Sequence, residues 1–292
     1  MKLGVQAFTI LDECLKDTEG TLQAVQDMGF RYMEWINIAA EDDPGLGNEM
    51  SPAEGRRIFE DHGITLTGAI FVGRNTKQLL NDMDSVQRII DWYHEAGCTT
   101  LGIADDKFID AEFFRKRMEQ YNKIGERCKA AGIHWMYHNH FHEQQRIGGR
   151  TLLEQMLELT DPELVGFDLD VYWSLRGLVD PVRFIRENPQ RIRSLHCKDF
   201  PFSKLDTVNM AKLLDPEKLL DFDSEDYYDF VGQDEFIECG QGILNWQNIV
   251  DAGNDAGCPY MFVEQDFSEH PKFECLSISK AYLEKLNGLS VE

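Results

Sequence analysis

Four short segments of the chain combine histidine, carboxylate or lysine side chains with the end of an apolar run. They are HNHFHE (138–143), DLDVYW (168–173), LHCKD (195–199) and FVEQD (262–266). Imidazole nitrogens and carboxylate oxygens are common ligands for Mn²⁺, Mg²⁺, Co²⁺ and Zn²⁺. If the fold brings these segments together, they predict a divalent-metal site for chemistry on a small, oxygen-rich substrate.

Three of the segments each contribute one metal-ligand candidate. Asp168 and Asp170 share one face of their strand because side chains alternate. Asp170 lies nearer the strand's carboxyl end, so we take it as the ligand and Asp168 as a supporting residue. His196 and Glu264 are the candidates in the next two segments, and Glu264 is also a candidate base at a substrate carbon.

The HNHFHE segment supplies the fourth ligand, but its residues leave the choice open. His138 and His140 point the same way into the predicted site, and Glu143 follows three residues later. Glu143 is our first choice as ligand, while another member of the set remains available as acid or base. Lys198 shares the face of His196, where it would polarise a substrate oxygen or form an ion pair.

Two aromatic residues are candidates for binding the apolar face of a sugar. Trp173 follows Asp170, and Phe8 lies at the end of the predicted first strand. Core packing is an equally good interpretation of Phe8. With the ligand candidates, the predicted catalytic set consists of Glu264, Glu143, His138, His140 and Lys198.

Strand and helix patterns alternate eight times along the chain and would position these residues. Regular alternation predicts parallel strands, and eight units predict a (β/α)8 TIM barrel, a fold that typically uses about 250 residues. Ala-Gly pairs at 96–97, 131–132 and 256–257 resemble helix ends that lead into strands. We therefore predict one domain over residues 1–292. A long loop at about 200–244, with the acidic-aromatic stretch 221–230, is expected over the barrel's C-terminal rim, where active sites of this fold lie. The predicted strands are Leu3–Phe8, Tyr32–Ile36, Thr65–Ile70, Thr99–Ile103, Ile133–His138, Leu164–Leu169, Ile192–Cys197 and Tyr260–Val263.

Composition narrows the class of partner. The 52 acidic and 29 basic residues give a formal net charge of −23. This disfavours nucleic acid and anionic membranes, which both require basic surfaces. No apolar stretch approaches the roughly 20 residues of a membrane helix, and the N-terminus has no signal-peptide pattern. Seven scattered cysteines without a CxxC pair indicate a reduced, cytoplasmic setting.

The motifs as a set resemble the xylose-isomerase-like TIM-barrel superfamily, and specifically its sugar phosphate isomerase/epimerase family. The resemblance spans the whole chain: KLGVQAFTI, YHNHFHE, LDVYW, RIRSLHCKD, GQGILNW and FVEQD. It implies one Mn²⁺-type ion, held by an acid after strand five together with Asp170, His196 and Glu264. Mg²⁺, Co²⁺ and Zn²⁺ are the alternatives. It also implies a small carbohydrate substrate and allows a homo-oligomer.

The resemblance leaves the reaction open. Several epimerases of the superfamily carry a glutamate at the end of strand five, where this chain has His138-Asn139-His140. That variant is similar to members acting on inososes and 3-keto-glycosides. We expect a metal-dependent isomerase or epimerase that removes a proton next to a carbonyl and stabilises the enediolate. The alternatives are a keto-sugar lyase or hydratase, a metal-dependent endonuclease, which the acidic charge disfavours, and a non-catalytic sugar-binding protein.

Overall fold

Parallel strands form in the eight regions where the alternating pattern predicts them. The computed structural model describes residues 1–38, 43–47, 49–72, 80–104, 106, 108–214 and 230–291. The barrel strands are β1 Lys2–Gln6, β2 Tyr32–Asn37, β3 Thr65–Phe71, β4 Thr100–Ala104, β5 His134–His138, β6 Val165–Asp170, β7 Ile192–Cys197 and β8 Tyr260–Val263. They follow one another in chain order around a closed barrel, and β8 pairs with β1. The predicted TIM-barrel fold is confirmed.

Helices pack around the strands. They are α1 Leu11–Lys16, α2 Thr18–Asp27, α3 Pro52–Asp61, α4 Met83–Glu95, α5 Ala111–Ala130, α6 Leu152–Leu159, α7 Val171–Arg176, α8 Pro181–Glu187, α9 Trp246–Asp255 and α10 Lys272–Leu283. Local sequence explains several helix ends. Ser51 and Glu54 form a capping box at the start of α3. After α4 and α5, Gly97 and Gly132 adopt φ values of 86° and 74°, as the predicted Ala-Gly junctions require.

The barrel interior changes from apolar to polar along the strand direction. Met136 packs with Ile70 and Ala104 inside the barrel. Phe262 approaches β1 so closely that a Cβ on Gly4 would lie 2.7 Å from its ring. Because side chains alternate along a strand, the next inward positions after Met136 and Phe262 are the polar residues His138 and Glu264. The barrel therefore has a packed floor beneath a polar mouth.

Residues 200–214 and 230–244 pack over this mouth. They contribute Phe200, Met210, Val231 and Phe236 to a hydrophobic cluster with residues of α7 and of the loops after β5 and β8. We call this cluster, which also contains Phe141, Tyr172 and Trp173, the rim cluster. The described part of the long loop thus covers the C-terminal rim, whereas the acidic-aromatic stretch lies outside the described residues, except for Phe230.

Two local features differ from the sequence-based expectation. Strand β1 ends at Gln6, and Phe8 lies in a short 3₁₀ helix, Ala7–Ile10, where it is half-buried against the main core. Helix α7 begins immediately after Asp170, because the Asp170 side chain accepts the Trp173 N–H as an N-cap. Within the described ranges, no helix is both long and apolar enough to cross a bilayer.

Candidate metal centre

Four side chains from neighbouring strand ends converge in the barrel mouth. His138 ends β5, Asp170 ends β6, and His196 lies on β7, while Glu264 directly follows β8. One possible ligand atom from each lies within 4.8 Å of the other three, and all four residues are buried. Three of them are sequence-predicted ligands. The fourth is His138, which the sequence offered as a catalytic residue and as one alternative for the ligand after β5.

A single buried carboxylate lies behind both imidazoles of this group. Asp168 Oδ2 is 3.0 Å from His138 Nδ1 and 2.8 Å from His196 Nε2, and Ser194 Oγ donates to its other oxygen at 2.6 Å. The opposite ring nitrogens face the ligand carboxylates: His138 Nε2 is 3.9 Å from Asp170 Oδ2 and His196 Nδ1 is 2.9 Å from Glu264 Oε2. Carboxylates that orient metal-binding histidines occupy this position in metalloproteins.

The charges around Asp168 and His196 explain the shifts in the pKa values of these two residues. Burial raises the pKa of Asp168, but the charges of His196 and His138 and their hydrogen bonds outweigh it and hold the pKa below its usual range. Burial lowers the pKa of His196, yet Asp168, Glu34 and Glu264 together raise it well above the ordinary value. The surrounding carboxylates therefore favour the protonated form of His196.

Glu34 on β2 is a site residue that the sequence analysis missed. It is fully buried, and its Oε2 lies 2.6 Å from His196 Nε2. With Asp168 and His196 it forms a second group whose candidate ligand atoms lie within 4.8 Å of one another. Burial, reinforced by the charge of Asp168, raises the pKa of Glu34 to about 7. The sequence did contain a signal for Glu34, because it is the one charged residue of its strand and lies between Met33 and Trp35.

Lys198 lies beside the ligand group. Its Nζ is 3.1 Å from Asp170 Oδ2, 2.9 Å from Glu264 Oε2 and 3.0 Å from Asp266 Oδ1. Burial lowers the pKa of Lys198, but the three carboxylates raise it well above its ordinary value. Lys198 therefore carries a positive charge at the mouth, and the same charge helps to keep the pKa of Glu264 well below its usual range against the effect of burial.

The structure does not bring Glu143 into the ligand group. Its Oε1 accepts the Tyr137 hydroxyl at 2.7 Å, and its two oxygens lie 3.0 and 3.1 Å from the His140 backbone nitrogen. Tyr137 faces the helices rather than the barrel interior and packs against Tyr121 of α5. Glu143 thus supports the loop after β5. His140 itself packs 5.0 Å from His138 and 5.1 Å from Trp173, measured between ring centroids.

The two predicted sugar-binding aromatics occupy different places. Trp173 is only 1% exposed within the rim cluster, with Phe236 of the long loop 6.1 Å from its ring. Lys198 Nζ lies 5.8 Å from the centre of the Trp173 ring, so this ring forms a wall beside the ligand group. Phe8 packs on the main core instead, and it is not part of the rim cluster.

The described residues fit a divalent ion. The group offers two imidazole nitrogens and two carboxylates, a mixed set suited to Mn²⁺, Co²⁺ or Zn²⁺. Among the described residues, Asp170 Oδ2 and Glu34 Oε1 are buried and make no hydrogen bond, although Lys198 is close to the former. Buried polar atoms without hydrogen bonds are rare in native proteins, and a missing ion is one explanation.

Comparison with known proteins agrees with the fold of this chain. The family model for xylose isomerase-like TIM barrels matches residues 22–274, most of the chain. This chain belongs to the xylose isomerase-like TIM barrel family. The family resemblance inferred from the motifs is therefore confirmed.

Relatives of this xylose isomerase-like chain carry more than one functional name. An inosose dehydratase from Geobacillus kaustophilus is 22% identical over 214 residues, which cover 66% of this chain and 65% of that protein. A sugar phosphate isomerase/epimerase from Parabacteroides distasonis has a similar crystal structure, with a TM-score of 0.78, 23% identity, and coverage of 99% of this chain and 95% of that one. The IolI protein, crystallised with a zinc atom, gives a TM-score of 0.67 at 15% identity over 98% of this chain and 99% of that one. These relatives therefore do not share one enzyme class, because their names include both a dehydratase and an isomerase/epimerase.

Proposed function

We propose that His138, Asp170, His196 and Glu264 bind one divalent metal ion. The observation that carries this proposal is the placement of Asp168 behind both imidazoles, which leaves His138 Nε2 and His196 Nδ1 directed at the two ligand carboxylates. Mn²⁺ remains our first choice because the set mixes oxygen and nitrogen ligands, with Zn²⁺, Co²⁺ and Mg²⁺ as alternatives. Glu143 serves in this proposal as a support of the loop and not as a ligand.

We propose further that the protein is a sugar isomerase or epimerase that removes a proton from a carbon next to a carbonyl. A bound divalent ion would supply Lewis acidity toward the hydroxyl and carbonyl oxygens of the substrate and stabilise the enediolate. Glu264 remains ionised beside Lys198 and is the candidate base, while His140 at the mouth can return the proton. Lys198, which holds its proton, donates to a substrate oxygen.

The rim cluster supports chemistry in a site shielded from water. Trp173 and Phe236 are both buried above the mouth, and the described part of the long loop packs on them. Exclusion of water strengthens the interactions of Lys198 and of the carboxylates with a bound substrate. A small carbohydrate, with one apolar face and many hydroxyl groups, fits a mouth that combines an indole wall with charged groups.

A keto-sugar lyase or dehydratase is the second candidate. His138 lies at the end of β5, where several epimerases of the superfamily carry a glutamate, so the ligand group offers fewer carboxylate bases. Elimination needs a base for the carbon-bound proton and an acid for the leaving hydroxyl or alkoxide, and Glu264 and His140 are the candidates for these two roles. Relatives named inosose dehydratase add weight to this alternative.

We place the protein in the cytoplasm, which its seven free and buried cysteines support. Its acidic charge supports a small-molecule substrate over nucleic acid or a membrane surface. The family resemblance also allows a homo-oligomer.

The reaction is tested by following proton NMR spectra of ketoses, inososes and 3-keto-glucosides in D₂O, with protein loaded with Mn²⁺. Loss of one C–H signal together with a new sugar isomer would support the isomerase or epimerase. The same loss together with an unsaturated sugar or a released aglycone would establish the lyase. Glu264→Gln should abolish exchange, while Glu269→Gln, at an exposed position of the same loop, serves as control. Exchange that is unaffected by removing the metal would contradict the proposal.

A further inference from the structure

Asn139 lies between the two histidines of the barrel mouth, but its side chain has different partners. It is 2% exposed, and its amide reaches the end of β6 rather than the ligand group. Oδ1 accepts the Asp170 backbone N–H at 3.0 Å, while Nδ2 donates to the Asp170 carbonyl at 3.3 Å. Both backbone groups of one candidate ligand are thus bound to one side chain.

The position of Asn139 explains this pairing. The backbone ladder between β5 and β6 ends with His138 opposite Asp168, two residues before Asp170. Beyond it the β5 chain turns away into the HNHFHE loop, and the Asp170 backbone would lose its β5 partner. The Asn139 amide offers a carbonyl and an N–H group like those of a peptide, and therefore extends the ladder by one step.

The other groups of Asp170 are also fixed. Its Oδ1 accepts the Trp173 N–H at 2.7 Å as the N-cap of α7, and Ser174 Oγ donates to its carbonyl at 2.7 Å. Asn139 Nδ2 additionally lies 3.2 Å from Ser174 Oγ. These bonds leave Oδ2 facing Lys198 and the ligand group.

We propose that Asn139 is a positioning residue that fixes the Asp170 carboxylate for metal binding. The inference rests on the proposed metal centre. Helix α7 has only six residues and depends on tertiary contacts for its stability, so the N-cap alone would not hold Asp170 in place. The amide acts through both of its groups, because the acceptor orients the N–H and the donor orients the carbonyl.

The test compares Mn²⁺ affinities of the wild-type protein and Asn139→Asp. Aspartate keeps the shape and the acceptor, but it replaces the donor with an oxygen that repels the Asp170 carbonyl. We expect the affinity, measured by electron paramagnetic resonance of free Mn²⁺, to fall about 10- to 100-fold. The spectrum of the bound ion should also change, which a purely structural role would not cause.

Asn122→Asp is a matched control. Asn122 makes a comparable pair of backbone bonds before β6, far from the ligand group, since its Nδ2 donates to the Leu159 carbonyl and its Oδ1 accepts the Asp161 N–H. We expect this variant to bind Mn²⁺ like the wild type. If Asn139→Asp does not fold, Asn139→Ser, whose short side chain cannot make both bonds to the Asp170 backbone and adds no charge, provides the same comparison.

The outcomes separate the two proposals. Wild-type protein that binds no Mn²⁺, Co²⁺ or Zn²⁺ would overturn the metal centre and the inference together. Wild-type binding with equal affinity and spectrum in Asn139→Asp, or in Asn139→Ser where that variant replaces it, would overturn only the role of Asn139. Equal losses in Asn139→Asp and Asn122→Asp would show a general effect on stability and would also overturn it.

Discussion

His138 and Glu143 illustrate how the direction of a side chain decides its role. Both belong to the HNHFHE segment, and both have side chains suited to metal binding. His138 ends β5 with its ring inside the barrel, where Asp168 orients it. Glu143 lies in the loop after β5. Its carboxylate accepts a hydrogen bond from the hydroxyl of Tyr137, whose side chain is on the outer face of β5. The acidic residue therefore supports the loop, and the proposed ligand is the histidine.

Substitution at these two positions distinguishes the alternative ligand sets. We expect His138→Asn to weaken Mn²⁺ binding by at least about 100-fold, because losing a ligand costs more than losing one of its hydrogen-bond partners. Glu143→Gln should leave the affinity nearly unchanged, since glutamine still accepts one of the hydrogen bonds. Isothermal titration calorimetry measures both. The reverse pattern, with Glu143→Gln losing the metal, would restore Glu143 as the fourth ligand.

At the scale of elements, Arg176 joins α7 to the long loop. Its guanidinium donates to the Thr207 and Val208 carbonyls and to the Glu235 carboxylate, and its carbonyl accepts the Met210 N–H. The Arg176–Glu235 ion pair, 2.8 Å long, is almost completely buried. This residue therefore fastens both described parts of the loop above the mouth, where they pack on Trp173.

Breaking this contact should destabilise the loop. Arg176→Met leaves Glu235 buried without its partner, which typically costs about 3–5 kcal/mol. We expect a smaller loss in the double variant Arg176→Met/Glu235→Leu, because no buried charge then remains unpaired. Urea unfolding of the metal-free proteins, followed by circular dichroism and tryptophan fluorescence, measures the difference. Equal losses in the single and double variants would contradict the interpretation.

At the scale of the whole molecule, barrel closure concentrates buried charge at one end. Glu34, Asp168, Asp170, Glu264 and Asp266 come from three different strands or their ends, yet all lie around His196 and Lys198. Such a cluster in a buried mouth is costly unless cations balance it. A divalent ion would provide that balance, so the metal centre and the stability of the barrel should be linked.

Metal binding should release protons and stabilise the fold. The pKa of His196 is raised, so at neutral pH the metal-free protein holds a proton that a metal ion must displace. Affinity should therefore increase as the pH rises toward that pKa, with release of about one proton or more per ion, because the pKa of His138 is also raised. Calorimetry in two buffers of different ionisation enthalpy measures this number. Saturation at 100 times Kd should also add about 2.7 kcal/mol to the free energy of unfolding. Binding without proton release would contradict the role of His196.

The sequence alone determined the barrel, and it predicted as ligands three of the four residues that meet in the candidate ligand group. Strand periodicity, glycine-ended helices and polar residues at strand ends are local signals, and Asp170, His196 and Glu264 were predicted from them because strand ends of a barrel share one rim. Glu34, Asn139 and the role of Glu143 depended on tertiary structure. Glu34 approaches His196 only when β1, β2, β7 and β8 close the ring, and Asn139 reaches Asp170 only because β5 pairs with β6. Alternation predicts on which face a side chain lies, but the groups that it meets there belong to distant parts of the chain.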